Sequence, residues 1–355
     1  MKKSSPVQAV CLQVMSAVLC AASFNTAHAQ PAPQASSSDA PEIVVTASRA
    51  EQPLKDVVAD VTLIDRATIE KSGAPSVSDL LSRTPGVQIV RNGGPGTSTS
   101  LFLRGADSRF TAVYVDGVRI DSQSTGGATW EAIPLSQIDH IEILRGPAAA
   151  IYGSDAVAGV IQVFTRKGTG AFAPFVGVGF GTYKTQKVEA GFSGKEGVFD
   201  YSLGISQESS TGFNARQVGN PDKDGYASQA SNARIGLKIN AEHRIEATVL
   251  TSYVNAQYDA SSSSSSTADD HARNQLQTTG LTWRAKWTEV FSTKAMVMQG
   301  KTHYDTYPSI YSTDTNVKSY LWQNELRLKN QFVTAALERR EDALQNASTT
   351  PPLTD

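Results

Sequence analysis

Carboxylates, and a histidine beside two of them, are the side chains in this sequence whose types could do chemistry. Asp222-x-Asp224-Gly225 lies in one polar stretch and Tyr258-Asp259 opens the next. The Asp-x-Asp-Gly run is a common turn, and the serines Ser261 to Ser266 that follow Asp259 dilute its acidic character. His271, beside Asp269 and Asp270, is the histidine that invites a catalytic reading, but its serine-rich surroundings show neither a partnering nucleophile nor a glycine turn. The chain is therefore expected not to be an enzyme.

Other groups suit binding rather than bond-making. Asn92 to Ser100 and Asp121 to Trp130 are rich in Gly, Ser and Thr. Their small side chains and free backbone groups, at Asn92, Gly93, Thr97, Ser98, Thr99, Ser100, Ser124 and Thr125, suit a large ligand with many amides. They are equally compatible with plain surface loops. Arg104 and Arg145 each precede a glycine at a strand end, where an arginine can fork onto a partly buried carboxylate. Glu42 to Ala47 is a short β-branched run between a flexible segment and Pro53. Such a run can add as a strand to the sheet edge of a partner, or it can be an ordinary first strand.

The elements that must position these groups fall into four regions. Lys2 and Lys3, the apolar run Val7 to Ala22 and the small-x-small Ala27-His28-Ala29 read as a secretory signal over residues 1–29. Both cysteines, Cys11 and Cys20, lie inside it, which leaves no disulfide framework for the exported chain. Residues 30–53 form a Pro/Ala/Ser-rich tether that carries the β-branched run. Residues 54–168 read as a mixed α/β domain. Asp65 caps a helix that Gly73 ends, Ser76-x-x-Asp79 starts a second, and Asp116-Gly117 turns a hairpin. Pro147 to Tyr152 makes one helical turn.

From residue 172 the pattern becomes strict apolar–polar alternation, as in Phe199, Tyr201, Leu203 and Ile205. Strands are expected near 172–180, 184–193, 198–207, 230–239, 244–254, 277–288, 292–303, 318–329 and 331–340. Tight turns alternate with long polar loops at 208–229, 255–276 and 304–317. A transmembrane barrel with short periplasmic turns and long external loops gives that alternation, and a soluble sandwich has no reason to. The fold expected is a mixed α/β plug followed by an antiparallel transmembrane β-barrel. About nine strands are fewer than the roughly 22 of a plugged barrel, so the chain reads as an N-terminal portion of one, with residues 341–355 opening a further external loop. With a net charge of −2, nothing points to nucleic acid.

Three segments, Glu42–Ala47, then Thr84-Pro85-Gly86-Val87 with Leu103-Arg104-Gly105, then Ile141 to Pro147 with Ile151-Tyr152-Gly153-Ser154, resemble the plug of TonB-dependent outer-membrane receptors. Within that family Arg91-Asn92-Gly93-Gly94-Pro95-Gly96, Val115 to Arg119 and Gly153 to Val160 are most similar to the cobalamin receptors. The resemblance implies a TonB box at Glu42, Ile43, Val44, Val45, Thr46 and Ala47. It implies ligand contact at the upper plug loops and plug–barrel ion pairs from Arg104 and Arg145, with Glu325 and Glu338 as candidate partners. It also implies a calcium site at Asp222, Asp224 and Asp259. The partners expected are TonB, cobalamin and outer-membrane lipid, in the outer membrane of a Gram-negative cell. Import of a ferric siderophore or haem by the same machinery is the alternative, and a non-transporting fragment the second.

Overall fold

In the computed structural model, residues 43–44, 49–122, 124, 126–216, 221–260, 269–308, 311–329, 331–347 and 353–354 are described. The signal and most of the tether lie outside them. Strand β1 (Ile43–Val44) pairs antiparallel with β2 (Gln52–Pro53). Strand β3 (Asp60–Ile64) then feeds helix α1 (Arg66–Ser72). Asp65 accepts a hydrogen bond from the Thr68 N–H at 2.8 Å, and Gly73 ends the helix in the left-handed region at φ 59°, as an N-cap and a C-terminal glycine should. Helix α2 (Val77–Leu81) starts in the same way on Ser76, whose hydroxyl accepts from Asp79 N–H at 3.1 Å.

Strands β4 (Val87–Arg91) and β5 (Thr99–Leu103) form a separate hairpin. Strands β6 (Thr111–Val115), β7 (Val118–Arg119), β8 (Ile138–Arg145) and β9 (Gly159–Thr165), with the one-turn helix α3 (Ala149–Tyr152) between the last two, complete the domain. The sheet runs in the order β3-β8-β9-β6-β7, antiparallel except where β6 lies parallel to β9. The β6–β7 turn needs positive φ at both central residues, and Asp116 (50°) and Gly117 (83°) supply it. Leu81, Leu101, Leu103, Ile138, Ile141, Ile143 and Ile161 are fully buried between this sheet, the helices and the hairpin. This burial of apolar surface is what holds the domain together.

The second region is a single antiparallel sheet of sequence-adjacent strands: β10 (Ala173–Gly181), β11 (Thr185–Glu196), β12 (Phe199–Phe213), β13 (Asp224–Lys238), β14 (His243–Tyr258), β15 (Asp270–Lys286), β16 (Phe291–Tyr307), β17 (Tyr311–Leu328), β18 (Gln331–Asn346) and the two-residue β19 (Leu353–Thr354). Side chains alternate across it. On β15 the inner face carries Asn274, Thr278 and Thr282, all buried against the plug side, while Leu281 is exposed on the outer face. Ile235, Val249, Val297, Trp322 and Leu337 continue that outer apolar band. At its short-turn end Trp283 lies 6.0 Å from Trp287 and 6.2 Å from Trp322, and stacks with His243 at 5.8 Å. An apolar band edged by aromatic rings is the surface a barrel shows to lipid. Among the described residues no helix is long and apolar enough to cross a membrane.

The strands are longer than their apolar stretches suggest. Strand β13 begins at Asp224 rather than 230, β15 at Asp270 rather than 277, and β17 at Tyr311 rather than 318. On these extensions the outward face is polar, as at Arg273, Gln275 and Asp314, and the apolar Ala272, Leu276 and Val317 are buried on the inner face. The lipid-facing alternation therefore stops, yet their backbones continue the ladder, as in Asn255↔Arg273 and Asn274↔Tyr304. Residues 341–346 are likewise strand, not the start of a loop, because β17 offers them a ladder through Lys318↔Glu341 to Thr313↔Asn346.

Candidate functional site

The β4–β5 hairpin carries its glycine-rich apex, residues 92–98, towards the long-loop end of the wall. The Asn92 N–H donates to Ser98 O at 3.1 Å, and Thr97 donates to Gly94 O through both N–H and hydroxyl, at 3.3 and 2.7 Å. Thr97 (2% exposed) and Thr99 (9%) are buried. They stiffen the apex from inside rather than face a ligand, which corrects the expectation for these two. Asn92, Gly93 and Ser100 are exposed and Ser98 is half-buried. Gly96 sits at φ 86°, where a Cβ would lie 3.1 Å from Tyr226 Cβ and 3.2 Å from Ala256 Cβ. The apex therefore packs closely on β13 and β14 and tolerates only glycine there. Ser124 shares a 2.9 Å hydrogen bond with the Tyr311 hydroxyl, and Thr125 lies outside the described residues.

Asp222, Asp224 and Asp259 come together beside this apex, each offering a carboxylate oxygen within 4.8 Å of the others. Strand β13 starts at Asp224 and β14 ends one residue before Asp259, and the register Tyr226↔Ala256 brings the two loops side by side. The Asp224 carboxylate accepts from Ala215 N–H at 2.7 Å. Asp259 Oδ2 is enclosed without a hydrogen-bond partner. Burial, with the charges of Asp224 and Asp269, raises the pKa of Asp222. Burial, with Asp224 and Asp222, raises that of Asp259. Crowded, like-charged oxygen donors with one orphaned atom fit a hard divalent cation of calcium's type. The cluster abuts the hairpin: a Cβ on Gly94 would lie 3.4 Å from Asp224 O.

Arg104 and Arg145 do not join plug to wall. Both reach Asp60 within the plug, Arg145 at 3.2 Å with further bonds to Thr62 (2.7 Å) and Pro85 O (3.1 Å). Arg145 turns inward because β3 lies beside β8 in the sheet and puts Asp60 opposite it, while Arg104, after β5, meets the same Asp60 at the surface. Glu325 instead accepts from Gln323 and Arg327. The ion pairs that do cross to the wall are others. Arg234 on β13 pairs with Asp116 in the β6–β7 turn and with Glu246 at 3.2 Å, all three side chains buried. Arg340 on β18 reaches Asp155 at 3.2 Å. Arg49 pairs with Glu338 at 2.6 Å and lies over the Tyr152 ring at 4.5 Å.

The expected coupling segment is represented by Ile43 and Val44; Glu42, Val45, Thr46 and Ala47 lie outside the described residues. Val44 is fully buried and paired with Gln52, so this part is not the free strand expected from the sequence. The pairing arises because the chain turns back at Arg49, in the left-handed region at φ 58°. The wall then holds the returning arm. Arg49 O accepts from Lys294 Nζ (3.0 Å) and Gln323 Nε2 (3.3 Å), and Glu51 O from Arg327 (3.0 Å). Above it a cavity of about 320 Å³ lies between plug and wall, lined by Tyr114, Asp116, Tyr152, Arg234 and Met296 among others.

A small mixed sheet with a protruding hairpin, seated inside a curved wall of antiparallel strands, can be compared with known proteins. Residues 53–160 match the family model described as TonB-dependent Receptor Plug Domain. This first domain is a TonB-dependent receptor plug. The chain is 39% identical over 212 residues to the vitamin B12 transporter BtuB of Vibrio vulnificus (strain CMCP6), covering 58% of this chain and 34% of that protein. It is 36% identical over 199 residues to the vitamin B12 transporter BtuB of Photobacterium profundum, covering 56% and 33%. The chain thus spans about a third of the length of the curated relatives it matches. Among solved structures, the ferric enterobactin receptor PfeA of Pseudomonas aeruginosa superposes with a TM-score of 0.70 at 18% identity, over 86% of this chain and 51% of that one. The siderophore receptor PirA of Acinetobacter baumannii superposes with a TM-score of 0.66 at 20% identity, over 80% and 48%. At these identities the likeness is one of fold. The TonB-dependent plug is followed here by the antiparallel wall of the same fold, open at its edges among the described residues.

Proposed function

We propose that this chain carries the plug and leading wall strands of a receptor that imports cobalamin or a related corrinoid across the bacterial outer membrane, driven by TonB. Residues 1–29 are its signal peptide, 30–53 a tether holding the TonB box at 42–47, 54–168 the plug and 172–355 the first part of the wall. The observation that carries the reading is the identity, across plug and early wall, to proteins named vitamin B12 transporters. The site chemistry agrees with it. The exposed Asn92, Gly93 and Ser100 and the half-buried Ser98, at and beside the apex, are small and uncharged, which suits a large ligand rich in amides and low in net charge. An anionic ferric chelate would call for cations there instead. The solved siderophore receptors share the fold at identities too low to carry their ligands across.

Asp222, Asp224 and Asp259 hold calcium in this reading. The ion's contribution is to cancel the repulsion among the three carboxylates. The loops that bear them then close against the apex, and Gly94, in contact with Asp224, sets the apex height. On the periplasmic side, residues 42–47 exchange the pairing of Val44 with Gln52 for one with TonB, adding to it as a strand. The arm from Arg49 to Glu51 transmits the pull, because its backbone is tied to Lys294, Gln323 and Arg327.

Equilibrium binding of cyanocobalamin to the detergent-solubilised chain, with and without calcium, tests both parts. Binding is expected to weaken at least about tenfold on chelation, within the range of ordinary coupling energies, and ferric enterobactin should not compete. Asp222→Asn with Asp259→Asn should bind equally with and without calcium and should lose terbium luminescence. Cyanocobalamin affinity indifferent to chelator would remove calcium from the account. Displacement by the ferric chelate would favour the siderophore reading.

A further inference from the structure

Beneath the hairpin apex lies a second, smaller cavity of about 80 Å³, lined by Asp79, Arg91, Thr99, Glu131, Glu208 and Tyr226 among others. Two of its polar atoms are enclosed and without hydrogen-bond partners: Glu131 Oε2 and Arg91 Nε. The Glu131 carboxyl accepts from the backbone N–H of Thr99, the first residue of β5. Thr99 pairs with Arg91 across the hairpin, so Glu131 grips the base of the apex at the rung where the two strands leave the ladder. Arg91 is held on the other side, by Asp79 at 3.1 Å and Ser78 at 3.0 Å. The hairpin base is therefore suspended between two acids, with one of them engaged by the arginine and the other not.

We propose that Glu131 is a positioning residue for the ligand-facing apex, and that the charge on its carboxyl decides whether Arg91 stays on Asp79 or is drawn across the cavity, shifting residues 92–98. This rests on the reading that the apex meets the ligand. With Glu131 neutral, nothing opposes the Arg91–Asp79 pair and the apex keeps its packing on Tyr226 and Ala256. With Glu131 charged, an enclosed anion lacks a donor on Oε2, and a buried unpaired charge is costly. Arg91 is the nearby cation that can meet it, by moving the rung it sits on.

The other groups facing this position come from every packed element. They are Asp79 on α2, Lys187 on β11, Glu208 on β12 with the Tyr226 hydroxyl of β13 donating to it, and Tyr304 on β16, hydrogen-bonded to Ser98. Lys187 is engaged by Glu189 at 3.1 Å. None is closer to answering Glu131 than Arg91.

Burial pushes the Glu131 carboxyl up from its ordinary 4.5 to about 8, against the opposing pull of the Glu131 and Thr99 N–H groups and Arg91. A pKa raised by folding means that the seat's stabilisation is fully present below the ordinary value and is lost as pH rises through the folded one. The apex is thus seated at neutral pH and released in mild alkali.

The test combines a spin label at Asn92, an exposed apex residue, with cyanocobalamin titrations at about pH 7 and about pH 9, both on the full chain with calcium present. In the wild type the label is expected to gain mobility, and affinity to fall roughly tenfold, between the two conditions. Glu131→Gln keeps an acceptor for Thr99 and cannot ionise, so mobility and affinity should stay at their neutral-pH values throughout. Glu131→Ala loses the Thr99 bond and should be mobile and weak at both. A Glu131→Gln protein that retains the wild-type pH response overturns the inference, as does a wild-type label that does not respond. A label that responds as described in a protein that binds no cyanocobalamin would sink the ligand reading and leave the role of Glu131 in the apex standing.

Discussion

Arg234→Ala is expected to loosen the plug from the wall and to cost about 3–5 kcal/mol of stability, the usual penalty for stranding a buried partner charge. Arg234 stands between Asp116, in the β6–β7 turn of the plug, and Glu246 on β14, and all three side chains are buried. Asp116 also accepts from the N–H and hydroxyl of Thr165 at 2.9 and 2.6 Å, so the turn, the end of β9 and the wall meet at one carboxylate. Removing the arginine strands the Asp116 carboxylate without its cation, while Glu246 keeps Arg244 at 2.9 Å. Adding Asp116→Asn to Arg234→Ala removes the stranded charge and should recover part of the loss. Denaturant unfolding of the detergent-solubilised chain, read alongside protease cleavage in the plug, measures the cycle. Equal losses in the single and double variants would mean that the pair is not what anchors the plug.

Val45→Pro is expected to abolish uptake while leaving ligand affinity within about twofold. A segment that couples by adding as a strand depends on its backbone N–H groups, and proline removes one and blocks the ladder. The apex is held by Glu131, Tyr226 and Ala256, away from residue 45, so the ligand contacts proposed for it do not depend on that residue. Uptake by cells should therefore fall to the level of a strain without TonB, with cyanocobalamin still bound at the surface. Loss of binding together with uptake would show instead that the segment is part of the plug's own packing, a role that the buried Val44 and its pairing with Gln52 make a real alternative.

Local signals carried most of the fold. Asp65 and Gly73 bound α1, Ser76 starts α2 and Asp116-Gly117 makes the hairpin, each because the residue's own backbone or side-chain chemistry decides the conformation. Apolar–polar alternation located every wall strand from β10 to β18, because one face must meet lipid. It failed at the strand ends, where the outward face becomes polar and the apolar residues Leu276 and Val317 turn to the inner face. The acid cluster was expected from the family resemblance, and the register that brings the loops of Asp224 and Asp259 side by side shows why those acids meet. The ion pairs were not legible. Arg234 and Asp116 are 118 residues apart, and their meeting depends on how the plug is rotated inside the wall, which no local pattern encodes. Arg104 and Arg145 look the same in sequence as an arginine that reaches the wall, yet Asp60, on β3, claims both. Glu131 gave no sign at all. Its partner is a backbone N–H, and its isolation becomes visible only once the cavity is formed.

The central claim, TonB-driven import of a corrinoid, is tested most directly by following radiolabelled cyanocobalamin in cells that carry this gene as their sole source of a cobalamin receptor. The account predicts accumulation inside the cell that stops on collapse of the proton-motive force or on loss of TonB, and that excess ferric enterobactin does not reduce. Accumulation no greater than in cells without the gene, or uptake that the ferric chelate abolishes, would contradict it.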